Sequence, residues 1–285
     1  MSPNVNAVRS GSSGGLVLAA LAAALLTTPA VAERASESAL RDLCPDRPGK
    51  GTSPCTVDKG HFQIEVDLFD QTRQHQNGIT TSTEIAASPT LKYGAWDDLD
   101  IEIGLEPYVR AHSHDATSGT TQTDDGVGDI FLRAKYVPAW MAAGGITAGL
   151  EPFAKLPTAN RRIGNGAVEG GLLAPLNLDL GSGWSLSSTP EIDVLKNSDD
   201  DGRHATFVDV IGVSRALPHG LGLSAELWES TNFDPSGKTQ QYSADIAASW
   251  QPDGYKSLQL DGGVNFGLNR ATPDIQIYLG TSYRF

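Results

Sequence analysis

From residue 60 onward, apolar and polar residues alternate with a period of two, the pattern of strands with two unlike faces. Phe62, Ile64, Val66 and Leu68 alternate with Gln63, Glu65 and Asp67. Leu99, Ile101, Ile103, Leu105, Pro107 and Val109 alternate with Asp100, Glu102, Gly104, Glu106, Tyr108 and Arg110. Ile275, Ile277, Leu279, Thr281, Tyr283 and Phe285 alternate with Gln276, Tyr278, Gly280, Ser282 and Arg284. Extended along the chain, this reading predicts strands over 61–70, 83–93, 99–110, 127–137, 145–156, 167–180, 184–195, 204–216, 220–229, 240–250, 257–268 and 274–285. That is twelve, an even number; the eighth is the least regular, since both faces of 205–213 are fairly apolar.

The connections sort by length. Residues 71–82, 111–126, 157–166, 196–203 and 230–239 are long, whereas 94–98, 138–144, 181–183, 217–220 and 251–256 are shorter. Only 269–273 is short where the alternation expects a long one. A soluble sandwich has no reason to gather its long loops at one end. An outer-membrane barrel does, with short periplasmic turns and longer outer loops. Strands of ~10 residues at the usual tilt rise ~25 Å, the height of the apolar band. Closure leaves no unpaired backbone edge in lipid. One face is nearly uncharged and carries Tyr93, Tyr136, Trp184, Tyr242, Trp250 and Tyr283 near strand ends, as interfacial girdles do. The expected fold is therefore all-β: a closed antiparallel transmembrane β-barrel of about 12 strands, apolar side outward.

Upstream, Arg9 precedes the apolar run 16–26, and Thr27-Thr28-Pro29-Ala30-Val31-Ala32 follows it. Eleven apolar residues are too few to span a bilayer but suit a secretory signal peptide. The expected division is residues 1–32 as signal peptide, 33–59 as a short periplasmic or plug segment, and 60–285 as the barrel. Cys44 and Cys55 enclose a Pro/Gly-rich stretch and read as a disulfide formed in an oxidising compartment. The segment they shape either plugs the periplasmic mouth or hangs free. Tyr283 and Phe285 at the end of the last strand resemble the signal read by the barrel-assembly machinery.

Charge refines this picture. The net charge of −13, with no basic block, excludes nucleic acid as a partner. Much of the acid falls on the polar face: Glu65, Asp67, Asp100, Glu102, Glu106, Asp129, Glu151, Glu169, Glu191, Asp193, Glu226, Asp245 and Asp261. Lys92, Arg110, Arg133, Lys135, Lys155 and Arg284 are the cations expected there. Such a wall favours cations unless its charges pair and fill the lumen. The residues expected to line a channel are Arg133, Lys135, Glu151, Phe153, Lys155, Glu169, Glu191, Asp193, Glu226 and Trp228, with Phe131, Phe153 and Trp228 as an apolar track or as filler. Twelve strands leave room for a narrow channel, not a wide pore. Prolines within strands (Pro89, Pro107, Pro152, Pro175, Pro190) mark bulges or a gap in the wall.

Cys44 to Thr52 (CPDRPGKGT), Cys55-Thr56-Val57-Asp58, Lys155-Leu156-Pro157-Thr158, Ile163-Gly164-Asn165-Gly166 and Glu169-Gly170-Gly171 resemble the "MetA-pathway of phenol degradation" transporter-type outer-membrane proteins. The resemblance spans nearly the whole mature chain. It implies a barrel concerned with passage of small, often aromatic, compounds, and brings no functional residues with it.

Catalysis has little support. The one G-x-S-x-G match, residues 11–15, lies in the signal peptide, and His204 and Ser214 are too far apart to pair. His112-Ser113-His114-Asp115 carries metal-ligating side chains but falls in an expected polar loop, and Asp199-Asp200-Asp201-Gly202 lacks EF-hand spacing. No cofactor or resident metal is expected. The leading expectation is an outer-membrane channel for facilitated diffusion of small aromatic or hydrophobic solutes, surrounded by outer-membrane lipid. A structural or adhesive barrel with a plugged lumen is the second, and an outer-membrane hydrolase the third.

Overall fold

The computed structural model describes residues 40–285; the signal peptide expected at 1–32 lies outside them. Twelve antiparallel staves follow in chain order. They are β1 (Phe62–Gln76), β2 (Ile79–Trp96), β3 (Leu99–Gly104, then Tyr108–Asp115) and β4 (Thr120–Gly126, then Ile130–Tyr136). Next come β5 (Ile146–Ala148, then Glu151–Leu156), β6 (Glu169–Leu173, then Leu176–Gly181) and β7 (Trp184–Ser188, then Glu191–Lys196). The last five are uninterrupted: β8 (Arg203–Ala216), β9 (Leu221–Asn232), β10 (Thr239–Trp250), β11 (Leu258–Gly267) and β12 (Ile275–Arg284). Each pairs with its sequence neighbours, and β1 pairs with both β2 and β12, from Gln63 opposite Arg284 to Arg73 opposite Ile275. The sheet is closed.

Its polarity is inverted relative to a water-soluble barrel. Lys135 and Asp100 are 1% exposed, whereas Leu227 and Ile246 are each 61% exposed. The outward faces carry Phe62, Ile101, Ile103, Leu132, Ile192, Val194, Leu223 and Leu279. Trp184, Trp250, Tyr93, Tyr136 and Tyr283 lie at stave ends and are also exposed. An apolar belt outside and ionised groups inside is the arrangement lipid selects, because hydrocarbon solvates the first and not the second.

Two of the expected long loops are strand. β1 and β2 stay paired to Gln76 opposite Ile79 and turn through Asn77 (φ 53) and Gly78 (φ 80), the left-handed pair that a two-residue hairpin needs. β3 and β4 likewise continue, Asp115 facing Thr120. Both extensions are polar on both faces, so alternation gives no sign of them. His112 and His114 consequently lie on a strand.

The prolines bend the wall without opening it. The interruptions in β3 to β7 keep one register across each gap, and main-chain bonds bridge them. Leu105 N–H donates to the Pro89 carbonyl (2.9 Å), Gly128 to Glu106 (2.7 Å), Gly149 to Pro175 (2.9 Å), Ala174 to Pro190 (2.9 Å) and Thr189 to Val210 (2.9 Å). On β1 to β4 the bend also exchanges the faces. Leu68 and Phe69 are consecutive and both exposed, Ala87 takes φ 52, and Val109 is buried while Tyr108 and Arg110 are exposed. Arg110, expected inside, therefore points outward, because strict alternation was carried through an interruption that shifts it by one residue.

The belt sets a sharp asymmetry for substitution. Leu227→Arg, mid-stave on the lipid face, should destabilise the folded barrel by about 2–4 kcal/mol. Ser224→Lys on the inner face of the same stave should cost far less. Urea-titrated folding into lipid vesicles measures both.

Candidate functional site: a lumen crossed by a strap

The segment between the described start and β1 enters the barrel. Cys44 and Cys55 are disulfide-bonded and close a loop whose charged residues reach the wall. Arg47 has cis geometry to Pro48, and Gly49 takes φ +105 where a Cβ would sit 2.5 Å from Glu226 Oε1. Only glycine allows that backbone and that approach. The strap leaves the lumen over Gly94, where a Cβ would meet the Asp58 carbonyl oxygen at 2.4 Å.

Three side chains between the two cysteines anchor it. Asp46 pairs with Lys92 and, at 2.5 Å, with Lys135, while its own amide donates to Glu65 Oε2 at 3.1 Å. Lys92 also meets Glu65 at 2.6 Å, and Lys135 meets Glu151 at 3.3 Å and Glu102 at 3.7 Å. Burial pushes the Asp46 carboxyl up, but Lys135 and Lys92 outweigh it and hold the group well below its ordinary range. A carboxylate lowered in this way contributes fully above its free value of 3.8 and is lost only as acid takes it below. Ligand oxygens of Asp46, Glu102 and Glu151 lie within 4.8 Å of one another; the two lysine ammonium groups already counter them.

Arg47 is the second anchor, paired with Asp67 and, at 2.8 Å, with Asp261, whose side chain is fully buried. Burial lowers its guanidinium, yet Asp67 and Asp261 raise it above the ordinary value. Lys50 is the third. Its ammonium donates to Ser243 Oγ at 2.8 Å, lies 3.7 Å from Asp245 and sits 4.2 Å over the Trp228 ring. Its amide donates to Glu226 at 2.8 Å. Here burial wins over Asp245 and Glu226, and the ammonium is lowered. Further along, Thr52 N–H donates to Thr189 Oγ1 (3.1 Å), Val57 N–H to Asp100 (2.9 Å), and Arg284 reaches Asp58 (2.9 Å). The strap thus touches β1 to β4, the β7 interruption and β9 to β12.

Two cavities stand out among the described residues. A cavity of about 400 Å³ lies beside the strap, lined by Phe131, Phe153 and Leu173 together with Arg133, Glu151 and Glu191. A second, of about 740 Å³, lies towards the outer loops, lined by Arg161, Asn165, Glu169, Lys196, His204 and Asp234 among others. Along β7, Glu191 lines the first and Leu195 the second, with buried Asp193 between them. Lys155 closes an upper cluster with Glu169 (2.6 Å), Asp129 (3.3 Å) and Asn165 (2.9 Å).

Of the residues singled out from sequence, Arg133, Glu151, Phe153 and Glu191 come together at the inner cavity. Lys135 is locked behind it by Asp46. Lys155 and Glu169 belong to the upper cluster, and Glu226 and Trp228 are covered by the strap. The anchors Asp46, Arg47 and Lys50 escaped sequence reading. Their one visible signal is three charges packed between two cysteines in a segment with no periodicity.

Fold and lumen define the class: a twelve-stave transmembrane barrel whose interior is crossed by its own N-terminal segment. Residues 45–285 match the family described as "Putative MetA-pathway of phenol degradation", and the chain belongs to that family. No curated protein matches it. Among solved structures, the NanC porin is similar at TM-score 0.49 and 7% identity, over 78% of this chain and 98% of that one. The translocator domain of the autotransporter NalP from Neisseria meningitidis is similar at 0.48 and 14%, over 94% and 96%. The CymD monoaromatic hydrocarbon channel follows at 0.41 and 9%, over 80% and 88%. None of these scores reaches 0.5; the closed barrel rests on the chain's own ladder of strand pairs.

Removing Arg47 strands two wall carboxylates, a loss of about 3–5 kcal/mol for a buried pair. Arg47→Ala should therefore raise tryptic cleavage after Lys50 by about 10²-fold or more. Arg41→Ala, which breaks a pair whose arginine is 49% exposed, should change it by about threefold or less. Timed digestion of the detergent-solubilised protein, read by mass spectrometry, checks both.

Proposed function

We propose that the protein is an outer-membrane channel for facilitated diffusion of small solutes, with aromatic or hydrophobic ones favoured, closed at rest by its own strap. One observation carries this reading: the space beside the strap is lined by Phe131, Phe153 and Leu173 interleaved with Arg133, Glu151 and Glu191, Arg133 facing Phe153 and Leu173 facing Glu151 across the strand pairs. A cavity of about 400 Å³ has the scale of a site for one small molecule. The route runs along β7 from Glu191 past Asp193 to the outer cavity. Passage involves no covalent step and no cofactor. The protein reaches the outer membrane by a cleaved signal peptide and the barrel-assembly machinery, with Tyr283 and Phe285 as its end signal.

Movement of the strap would change the lumen's charge as well as its width. Arg47 and Lys50 face Asp67, Asp261 and Asp245, so withdrawing them leaves a carboxylate-rich wall that favours cations and neutral solutes over anions. The number of staves the strap touches favours a second reading, a structural barrel with a permanently filled lumen.

Planar-bilayer recording separates the two. The native protein should show brief, small, cation-selective openings, and Arg47→Ala should lengthen them by about tenfold or more, given the size of the lost pair. Liposome swelling with phenols, sugars and amino acids then ranks the solutes. A silent bilayer for both proteins would leave the filled barrel standing and remove the channel.

A further inference from the structure

We infer that the outer face of the hairpin extensions carries a site for a divalent transition-metal ion, held by the imidazoles of His112 and His114. Both lie on the second half of β3 (Tyr108–Asp115). Two residues apart on a strand, they project from the same face about 7 Å apart along the chain, within reach of one ion.

The neighbouring strands prepare each ring. His112 faces Thr123 across the β3–β4 pair, and His114 faces Thr121. The Nδ1 of His112 lies 2.9 Å from Thr123 Oγ1, and that of His114 lies 3.0 Å from Thr121 Oγ1. A histidine ligating through Nε2 must carry its proton on Nδ1, and a hydroxyl oxygen in line with Nδ1 accepts it. That pairing holds the ring orientation, as second-shell partners do in metal sites, and accommodates the Nδ1–H tautomer because the hydroxyl can accept as well as donate. Both rings are held by the edge that metal binding leaves over, and both Nε2 atoms are turned away from their threonines.

The surroundings are those of a surface site in water. Register sets two transverse rows across four staves: Arg73, Ser82, His112, Thr123 and His75, Thr80, His114, Thr121. His75 and Arg73 sit two staves away, about 10 Å, too far to ligate or to neutralise the pair directly. The row nearer the membrane, Gln71, Glu84, Arg110 and Asp125, is charged, so the site stands beyond the apolar belt that ends at Phe69 and Tyr108. Two imidazoles, with water completing the sphere, suit Zn²⁺, Ni²⁺ or Cu²⁺ and not the oxygen-seeking Ca²⁺ or Mg²⁺.

Isothermal titration of the full-length protein in detergent, with Ni²⁺ or Zn²⁺ as chloride, tests this. The native protein should bind one ion per chain. His112→Ala or His114→Ala should each weaken binding by about tenfold or more, and Thr121→Val or Thr123→Val by about 10–100-fold through loss of the second shell. His219→Ala, in a turn at the opposite end of the barrel, should change nothing, and unaltered heat-modifiable mobility on gels verifies that each variant is folded. Absence of binding by the native protein, or undiminished binding by the folded His112→Ala/His114→Ala double variant, would overturn the assignment.

Discussion

Charge balance inside an enclosed lumen is the constraint on which the rest of this structure depends. The wall of the barrel neutralises itself only in part, through pairs such as Lys92–Glu65 and Lys155–Glu169. Lys92 and Lys135 take Asp46 from the strap, and Asp67 and Asp261 take Arg47 from it. Ions held away from bulk water are costly unless paired and hydrogen-bonded. On the proposed function, a wall built this way would be stable in two conditions: with the strap in place, or with water and mobile cations in its stead. An apolar filling would have given one condition only. On that same proposal, the lumen is closed by contacts that water can replace, which is what a reversible closure needs and what a permanent core does not.

The outer half of the molecule obeys the same logic with the signs of solvation exchanged. Lipid demands an uninterrupted apolar belt and a closed ladder, and the interruptions at Pro107, Pro152, Pro175 and Pro190 respect both because each stays in register and is bridged by main-chain bonds. The bends concentrate on β3 to β7, the side on which the inner cavity lies. Proline here shapes the lumen without breaching the wall.

Much of the fold was legible in the sequence because lipid imposes a strict two-residue rule. Ile101 and Ile103 against Glu102, or Ile192 and Val194 against Asp193, cannot be read in any other period. That rule fails where lipid ends. The paired extensions beyond Phe69 and Tyr108 have polar residues on both faces, so Asn77-Gly78 was the only clue to the first and nothing marked the second. It fails also at a bend, which is why Arg110 fell on the wrong side. The polar face was legible residue by residue, and Glu151, Phe153 and Glu191 do line the inner cavity, but their arrangement was not legible. Pairing depends on which staves a short aperiodic segment reaches, and Asp46, Arg47 and Lys50 carry no spacing that reveals it.

A strap that closes the lumen must move for solutes to pass. Thr52 N–H lies 3.1 Å from Thr189 Oγ1, so a Thr52→Cys/Thr189→Cys variant, once mass spectrometry verifies that the new disulfide has formed, offers a covalent lock between strap and wall. Single-channel recording of that variant, oxidised and then reduced, with Thr52→Cys alone as the control for the native disulfide, tests the claim most directly. No openings should occur while the lock is closed, and they should return when it is reduced. Openings of native size and frequency in the locked protein would contradict it.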